Sequence, residues 1–176
     1  MGNGGKGSIG FNINSQVGVD FHYPTMKIGE LQALPIPNLA SKNALMFLWT
    51  TNAFMAEGLE LMKHWGFKQK TILTWVKTKK HEVVPSKGTG FWFRNCQEHL
   101  LFGIRGRVPR PEGFLEGTVF FHPRLPHSTK PDLFYDLMDK ALPGAKKLEL
   151  FARRPRENWS SWGNEIPNSI DMEEYL

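Results

Sequence analysis

Apolar residues gather in short blocks along this chain, separated by longer polar stretches. Ala44 to Trp49 (ALMFLW) is apolar without a break. So short a run with no polar position suits a strand covered on both faces, as in a parallel sheet. From Ala53 to Trp65 the spacing changes. Met55, Leu59 and Met62 recur at helical intervals, with Phe54, Leu61 and Trp65 beside them. Thr51 and Asn52 are suited to cap that helix and Gly66 to end it, while Gly58 interrupts its apolar face. Thr71 to Val76 (TILTWV), Gln97 to Ile104 (QEHLLFGI), Thr118 to Phe121 and Lys147 to Ala152 (KLELFA) read as strands. Lys130-Pro131-Asp132 opens a second helix to about Ala141. Its buried face is Leu133, Phe134, Leu137, Met138 and Leu142, and Pro143-Gly144 ends it.

Outside these blocks the pattern weakens. Residues 1–20 are rich in Gly, Asn and Ser and read as a flexible leader, with the folded domain over 21–176. A phosphate loop at Gly2 to Gly7 fails on context, since no strand precedes it and no Gly-Lys-Ser/Thr follows. Pro24-Thr25-Met26 opens a short amphipathic turn or helix to about Ala33, ended by Leu34-Pro35-Ile36-Pro37. Lys77 to Arg94 and Arg105 to Gly117 are long irregular loops, and the stretch after Ala152 is irregular too. Strand, helix, strand, loop, strand, loop, strand, helix, strand predicts an α/β sheet with helices packed on it.

Composition narrows this. The chain has 176 residues, 40% hydrophobic and 22% charged, which fits one globular domain and excludes wholesale disorder. The single cysteine, Cys96, excludes a disulfide framework and favours a reducing, intracellular setting: cytoplasm or nucleoid, or the nucleus of a eukaryote. No apolar run reaches the length of a membrane span. Net charge is +5, but the excess is local. Residues 61–110 carry 11 Lys/Arg against 2 Asp/Glu, while the flanking regions are slightly acidic. A focused positive field of this kind suits a polyanion. Lys77, Lys79, Lys80, His81, Lys87 and Arg94 are interleaved with Phe91, Trp92 and Phe93, whose rings could stack on bases. Alternation along an extended segment would place one of the three in the core.

Two polar segments fall where ligands bind in open α/β sheets: Phe151-Ala152-Arg153-Arg154 at a strand's end and His127-Ser128-Thr129-Lys130 before a helix start. Together they suit a small zwitterionic or anionic ligand, against the plainer reading of capping and surface arginines. The six histidines yield no four-ligand set at zinc spacing, and Cys96 has no marked activating base. Trp159 and Trp162 are expected to pack the C-terminal segment over the ligand pocket.

An ordered series of blocks then carries a resemblance. Tyr23-Pro24-Thr25-Met26, Leu48-Trp49-Thr50-Thr51, Trp65-Gly66-Phe67, Trp75-Val76-Lys77, Gly88-Thr89-Gly90-Phe91-Trp92, Glu98-His99, Gly103 to Gly106, His127 to Asp132, Lys147 to Arg154 and Asn158 to Glu165 resemble the MT-A70 family of adenine-N6 methyltransferases. The resemblance implies a Rossmann-like class I methyltransferase sheet with helices on both faces and one antiparallel strand. It implies S-adenosyl-L-methionine as cofactor and methyl transfer to adenine N6 in nucleic acid, with DNA preferred to RNA. By it, Lys130 would lie near the methionine end of the cofactor, and Phe151, Arg153, Asn164 and Glu165 would contact its ribose, adenine or carboxylate. Tyr23 would sit over the target adenine, with Lys77, Lys79, Lys80, Trp92, Arg94 and Asn95 on the nucleic-acid side.

The family's catalytic Asp-Pro-Pro-aromatic tetrad, expected upstream of Tyr23, is absent from the sequence, so no catalytic residue is assigned. In the family its carboxylate and a backbone carbonyl orient the amine, and its ring stacks on the extruded base. The abrupt glycine-rich beginning is read as a fragment starting after the tetrad, its sheet then short of an N-terminal strand. The rival readings are an inactive nucleic-acid-binding partner in a homo- or heterodimer of methyltransferase subunits, and a small basic RNA-binding protein unrelated to methylation.

Overall fold

A computed structural model describes residues 26–80, 82–88, 90–126 and 129–176. The leader and the Tyr23 expectation lie outside them. Two short helices open this region, α1 (Ile28–Gln32) and α2 (Ile36–Leu39). Pro35 separates them, so the proline-rich stretch ends the first helix, as expected, and then starts another.

The main sheet contains β1 (Ala44–Thr50), β2 (Lys68–Thr78), β3 (Gln97–Arg105) and β4 (Val119–Pro123), in the order β1-β3-β2-β4. β3 runs antiparallel to both neighbours, and β2 and β4 are parallel. β1, β2 and β4 therefore share one direction and end at the same end of the sheet. β1 corrects its expected pairing. Its bonded partner is antiparallel, and no described strand lies along its other edge. Its apolar run still follows from burial, because both of its faces are covered.

Helices supply that cover. On one face, Leu101, Ile72, Met46 and Leu48 pack with Leu61 and Met62 of α3 (Met55–His64). Gly58 is the close-approach point there: a Cβ would lie 3.2 Å from the Leu101 side chain and 3.3 Å from that of Thr50, a fit that both would have to yield to accommodate. On the other face, Leu73, Trp75 and Leu100 pack with Phe134 and Leu137 of α4 (Asp132–Ala141). The Phe134 ring is fully buried, with the rings of Trp49 and Phe120 at 4.8 and 5.2 Å. Successive residues of β3, Leu100 and Leu101, thus belong to opposite cores, as the twofold repeat of a strand requires. Helices on both faces of a mixed sheet is the predicted architecture.

A second, parallel pair joins β5 (Leu148–Leu150) to β6 (Ser160–Trp162). Leu150, Phe151 and Trp162 pack into the α3 core. α4 is tied to this pair by polar contacts. The Tyr135 hydroxyl donates to Glu149 at 2.6 Å, and the Arg156 guanidinium lies 3.6 Å over the Tyr135 ring. Burial first, then the Glu149 bond, pushes the Tyr135 phenol well above its ordinary range, and burial pushes the Glu149 carboxyl up. Tyr135→Phe should therefore cost about 1 kcal/mol in urea unfolding, since it leaves a half-buried carboxylate without its donor. No helix among the described residues is long and apolar enough to cross a membrane.

Candidate functional site

At the carboxyl ends of β1, β2 and β4, where open α/β sheets bind ligands, three charges meet. Glu98, second residue of β3, accepts from the ammonium groups of both Lys77 and Lys130. Only 17% of the Glu98 side chain is exposed, against 19% for Lys77 and 21% for Lys130. Burial alone would push the Glu98 carboxyl up. Lys130 and Lys77 together outweigh that and hold it below its ordinary value. Lys77 also sits 5.0 Å from the Trp75 ring and Lys130 4.9 Å from the Trp49 ring. The cluster keeps one net positive charge on the α4 face of the sheet.

Beside it runs a chain of side-chain hydrogen bonds on the other face. His99 contacts Thr74 Oγ1 through Nδ1 at 3.1 Å and Asn52 Oδ1 through Nε2 at 2.7 Å, and Asn52 donates to Asn95 at 3.1 Å. Burial lowers the His99 pKa, with Glu98 opposing, so the ring is neutral at pH 7. Asn52 is thus not the helix cap expected of it. A 3-10 turn over Asn52–Phe54 precedes α3, and its amide instead holds Asn95 at the edge of the basic loop.

Phe151, Arg153, Asn164 and Glu165, expected on the cofactor side, follow the ends of β5 and β6. Arg153 Nε lies 4.0 Å from Glu165 Oε1. The close approach of the two strand ends requires Gly163, because a Cβ there would overlap the Ala152 backbone. Ala152 in turn donates to the Trp162 carbonyl at 2.9 Å. Phe151 has φ 61°, a left-handed conformation that costs a bulky residue on the order of 1–2 kcal/mol. Its ring is held edge-on to Trp162 at 5.4 Å. Asn164 and Glu165 are exposed beside Arg153. The Lys130 ammonium is instead held by Glu98, while Asp132, two residues on, binds Arg154 and Arg156. The Arg156 hydrogen bond, with both guanidinium charges, keeps the Asp132 carboxyl below its ordinary value.

The basic loop differs in one respect from expectation. Phe91, Trp92 and Phe93 are all exposed, at 105%, 91% and 89%. Gly90 (φ 157°) folds the backbone tightly against Phe93, so the segment is a turn and strand alternation does not apply. Arg94 donates to the Gly88 carbonyl at 3.3 Å, Lys79 pairs with Glu82 at 3.6 Å, and Lys80 is exposed. Trp159 does not accompany Trp162. It packs on Tyr135 at 5.6 Å and donates to Asp139, fastening the segment to α4.

Sequence reasoning missed Glu98, Asn52 and Asp132 as site residues. Glu98 did leave a signal: it is one of two acidic residues among eleven bases in 61–110, and it opens a strand that is otherwise largely apolar.

The MT-A70 family model matches residues 12–165. The chain belongs to the MT-A70 family. Relatives of this member include the type II methyltransferase M.MunI of a Mycoplasma species, 35% identical over 86% of this chain and 64% of its own length. The N(6)-adenosine-methyltransferase MT-A70-like protein of Arabidopsis thaliana is 34% identical, over 84% of this chain and 22% of its own. The catalytic subunit METTL3 of the human N(6)-adenosine-methyltransferase is 32% identical, over 84% and 26%. This MT-A70 chain therefore spans less than two thirds of each of these relatives.

Proposed function

We propose that this chain takes part in S-adenosylmethionine-dependent methylation of adenine N6 in nucleic acid, DNA in preference to RNA. The observation that carries the reading is the convergence of Arg153, Glu165, Asn164 and Phe151 at one strand end in a member of the MT-A70 family. That donor set fits the cofactor. A cation suits the methionine carboxylate, a carboxylate suits ribose hydroxyls or the amine, an exposed amide suits the adenine edge, and an aromatic ring suits the adenine face. When bound, the cofactor supplies a methyl group on a positively charged sulfur.

The chain's own residues would do the rest of the binding. Lys130 and Arg153 hold the cofactor's anionic end, and Glu165 and Asn164 fix the nucleoside. Lys79, Lys80 and Arg94 meet phosphates, and Trp92 offers a face for a base. The DNA preference rests on M.MunI, which this chain matches over far more of its length than the N(6)-adenosine-methyltransferases.

Calorimetry tests the cofactor site. Saturable S-adenosylmethionine binding is expected, and Asn164→Ala or Lys130→Ala should weaken it at least fivefold, on the order of 1 kcal/mol. A folded sample with no binding would remove the reading. Transfer of labelled methyl into matched DNA and RNA oligonucleotides then tests the activity. The exposed Phe91, Trp92 and Phe93 on the basic loop favour a second reading, a nucleic-acid-binding partner of an active subunit. Cofactor or oligonucleotide binding without transfer by this chain, and transfer on adding a catalytic subunit, would select it.

A further inference from the structure

The basic excess of residues 61–110 is divided by the fold. Lys77, Lys79, Lys80, Lys87 and Arg94 lie at the carboxyl end of β2 or in the loop beyond it, while Lys68 and Lys70 open that strand and Arg105 and Arg107 follow at the end of β3. At this second end a cleft of about 460 Å³ is lined by Lys68, Lys70, Arg105 and Arg107, with Gly66, Gly106, Ile104 and Val108. Half of its lining is cationic and none is acidic. Arg105 is fixed by donating to the Pro37 carbonyl at 2.7 Å, and the Arg107 backbone is pinned by Asn43 at 2.9 Å. Lys68, Lys70 and Arg107 are exposed, and none has an acidic partner among the described residues. Glu116, which lines the adjoining cavity with Lys70, pairs with neither Lys70 nor Arg110. At the other end of the strand, by contrast, Lys77 is paired with Glu98.

Uncompensated cations gathered in a concave site repel one another, and a chain of phosphates is the partner that relieves the repulsion. The spacing fits such a chain. From Lys70 to Lys77 the strand extends about 23 Å, and over its whole length about 33 Å, at ~3.3 Å per residue. At ~3.4 Å of axial rise per nucleotide, a base-stacked strand covers this with roughly seven to ten nucleotides. We propose that the Lys68–Lys70–Arg107 cleft is a second backbone contact for the same nucleic-acid strand that the Lys79–Lys80 loop engages. The inference rests on the nucleic-acid reading above. It adds a minimum length to the ligand: short oligomers reach one patch only, and longer ones reach both.

The test is fluorescence anisotropy with fluorescein-labelled adenine-containing single strands, a 6-mer and a 24-mer, at several salt concentrations. The wild-type chain should bind the 24-mer much more tightly. Lys68→Gln/Lys70→Gln/Arg107→Gln, all exposed side chains, should weaken the 24-mer at least fivefold and leave the 6-mer within twofold. The slope of log affinity against log salt should fall by about 2, from ~0.7 for each phosphate that is no longer neutralised. Lys79→Gln/Lys80→Gln should weaken both lengths. A triple variant that binds the 24-mer like wild type overturns the inference and leaves the nucleic-acid reading standing. Weakening on the 6-mer equal to that on the 24-mer also overturns it. If the wild-type chain binds neither length, both fall together.

Discussion

Glu98→Ala should lower the unfolding free energy by about 3 kcal/mol at pH 7, the range expected when one partner leaves a largely buried ion cluster. The carboxylate accepts from two ammonium groups that are each about four-fifths hidden from solvent. Without it they face each other across β3 and beside α4 with no acidic partner. Adding Lys77→Met should restore much of the stability, because a thioether can lie against the Trp75 ring where the ammonium now sits. The pH dependence has a definite sign. The Glu98 pKa is depressed on folding, so its stabilisation is full above its ordinary value near 4.5 and is lost as pH falls through the lower folded value. Wild type should show this acid loss and Glu98→Ala should lack it. Urea titrations at pH 7 and below pH 4.5 measure both arms. A Glu98→Ala protein within 0.5 kcal/mol of wild type at pH 7, on the order of a surface substitution, would refute the assignment.

Gly163→Ala is the second large effect. The added methyl overlaps the carbonyl oxygen and nitrogen of Ala152, a residue 1% exposed, and backbone cannot rotate away as a side chain can. Relief requires β5 and β6 to part at their ends, which breaks the Ala152–Trp162 hydrogen bond and separates Arg153 from Glu165. A loss of about 3 kcal/mol is expected. The more informative readout is S-adenosylmethionine binding, which should fall at least tenfold even where the protein remains folded, about 1.4 kcal/mol. Gly117→Ala has open space around it and should change neither quantity. Undiminished cofactor binding by Gly163→Ala would mean that the Arg153–Glu165 junction is not the cofactor site.

Much of this architecture was legible in the apolar spacing. The α3 and α4 helices bury periodic apolar faces and the first five strands are short apolar blocks, and both patterns are displayed by a sequence. β6 escaped because Ser160–Trp162 has no such face. It is a strand through its partners, β5 on one side and Ser169 on the other, whose hydroxyl and amide satisfy Ser161 at 2.6 and 2.9 Å. The exposed aromatic trio was misread for a related reason: a turn around Gly90 cancels the alternation that an extended segment would impose. Arg153, Asn164 and Glu165 were marked by motif, but Glu98 required three elements to be placed together. Lys77 and Lys130 are far from it along the chain, and only the β2–β3 pairing and the start of α4 deliver them.

The alternation of β3 between two cores has a further consequence. Glu98, Leu100 and Phe102 share one side of the strand, and His99 and Leu101 share the other. Sliding β3 by one position would send leucine into the wrong helix layer and, in the same movement, swing the carboxylate away from both ammonium groups. Packing therefore proofreads the charge arrangement: a molecule that has sealed its greasy interior has already aimed Glu98. Substitutions deep beneath α4, remote from any ligand, should consequently register as altered titration of the acid at the sheet's rim.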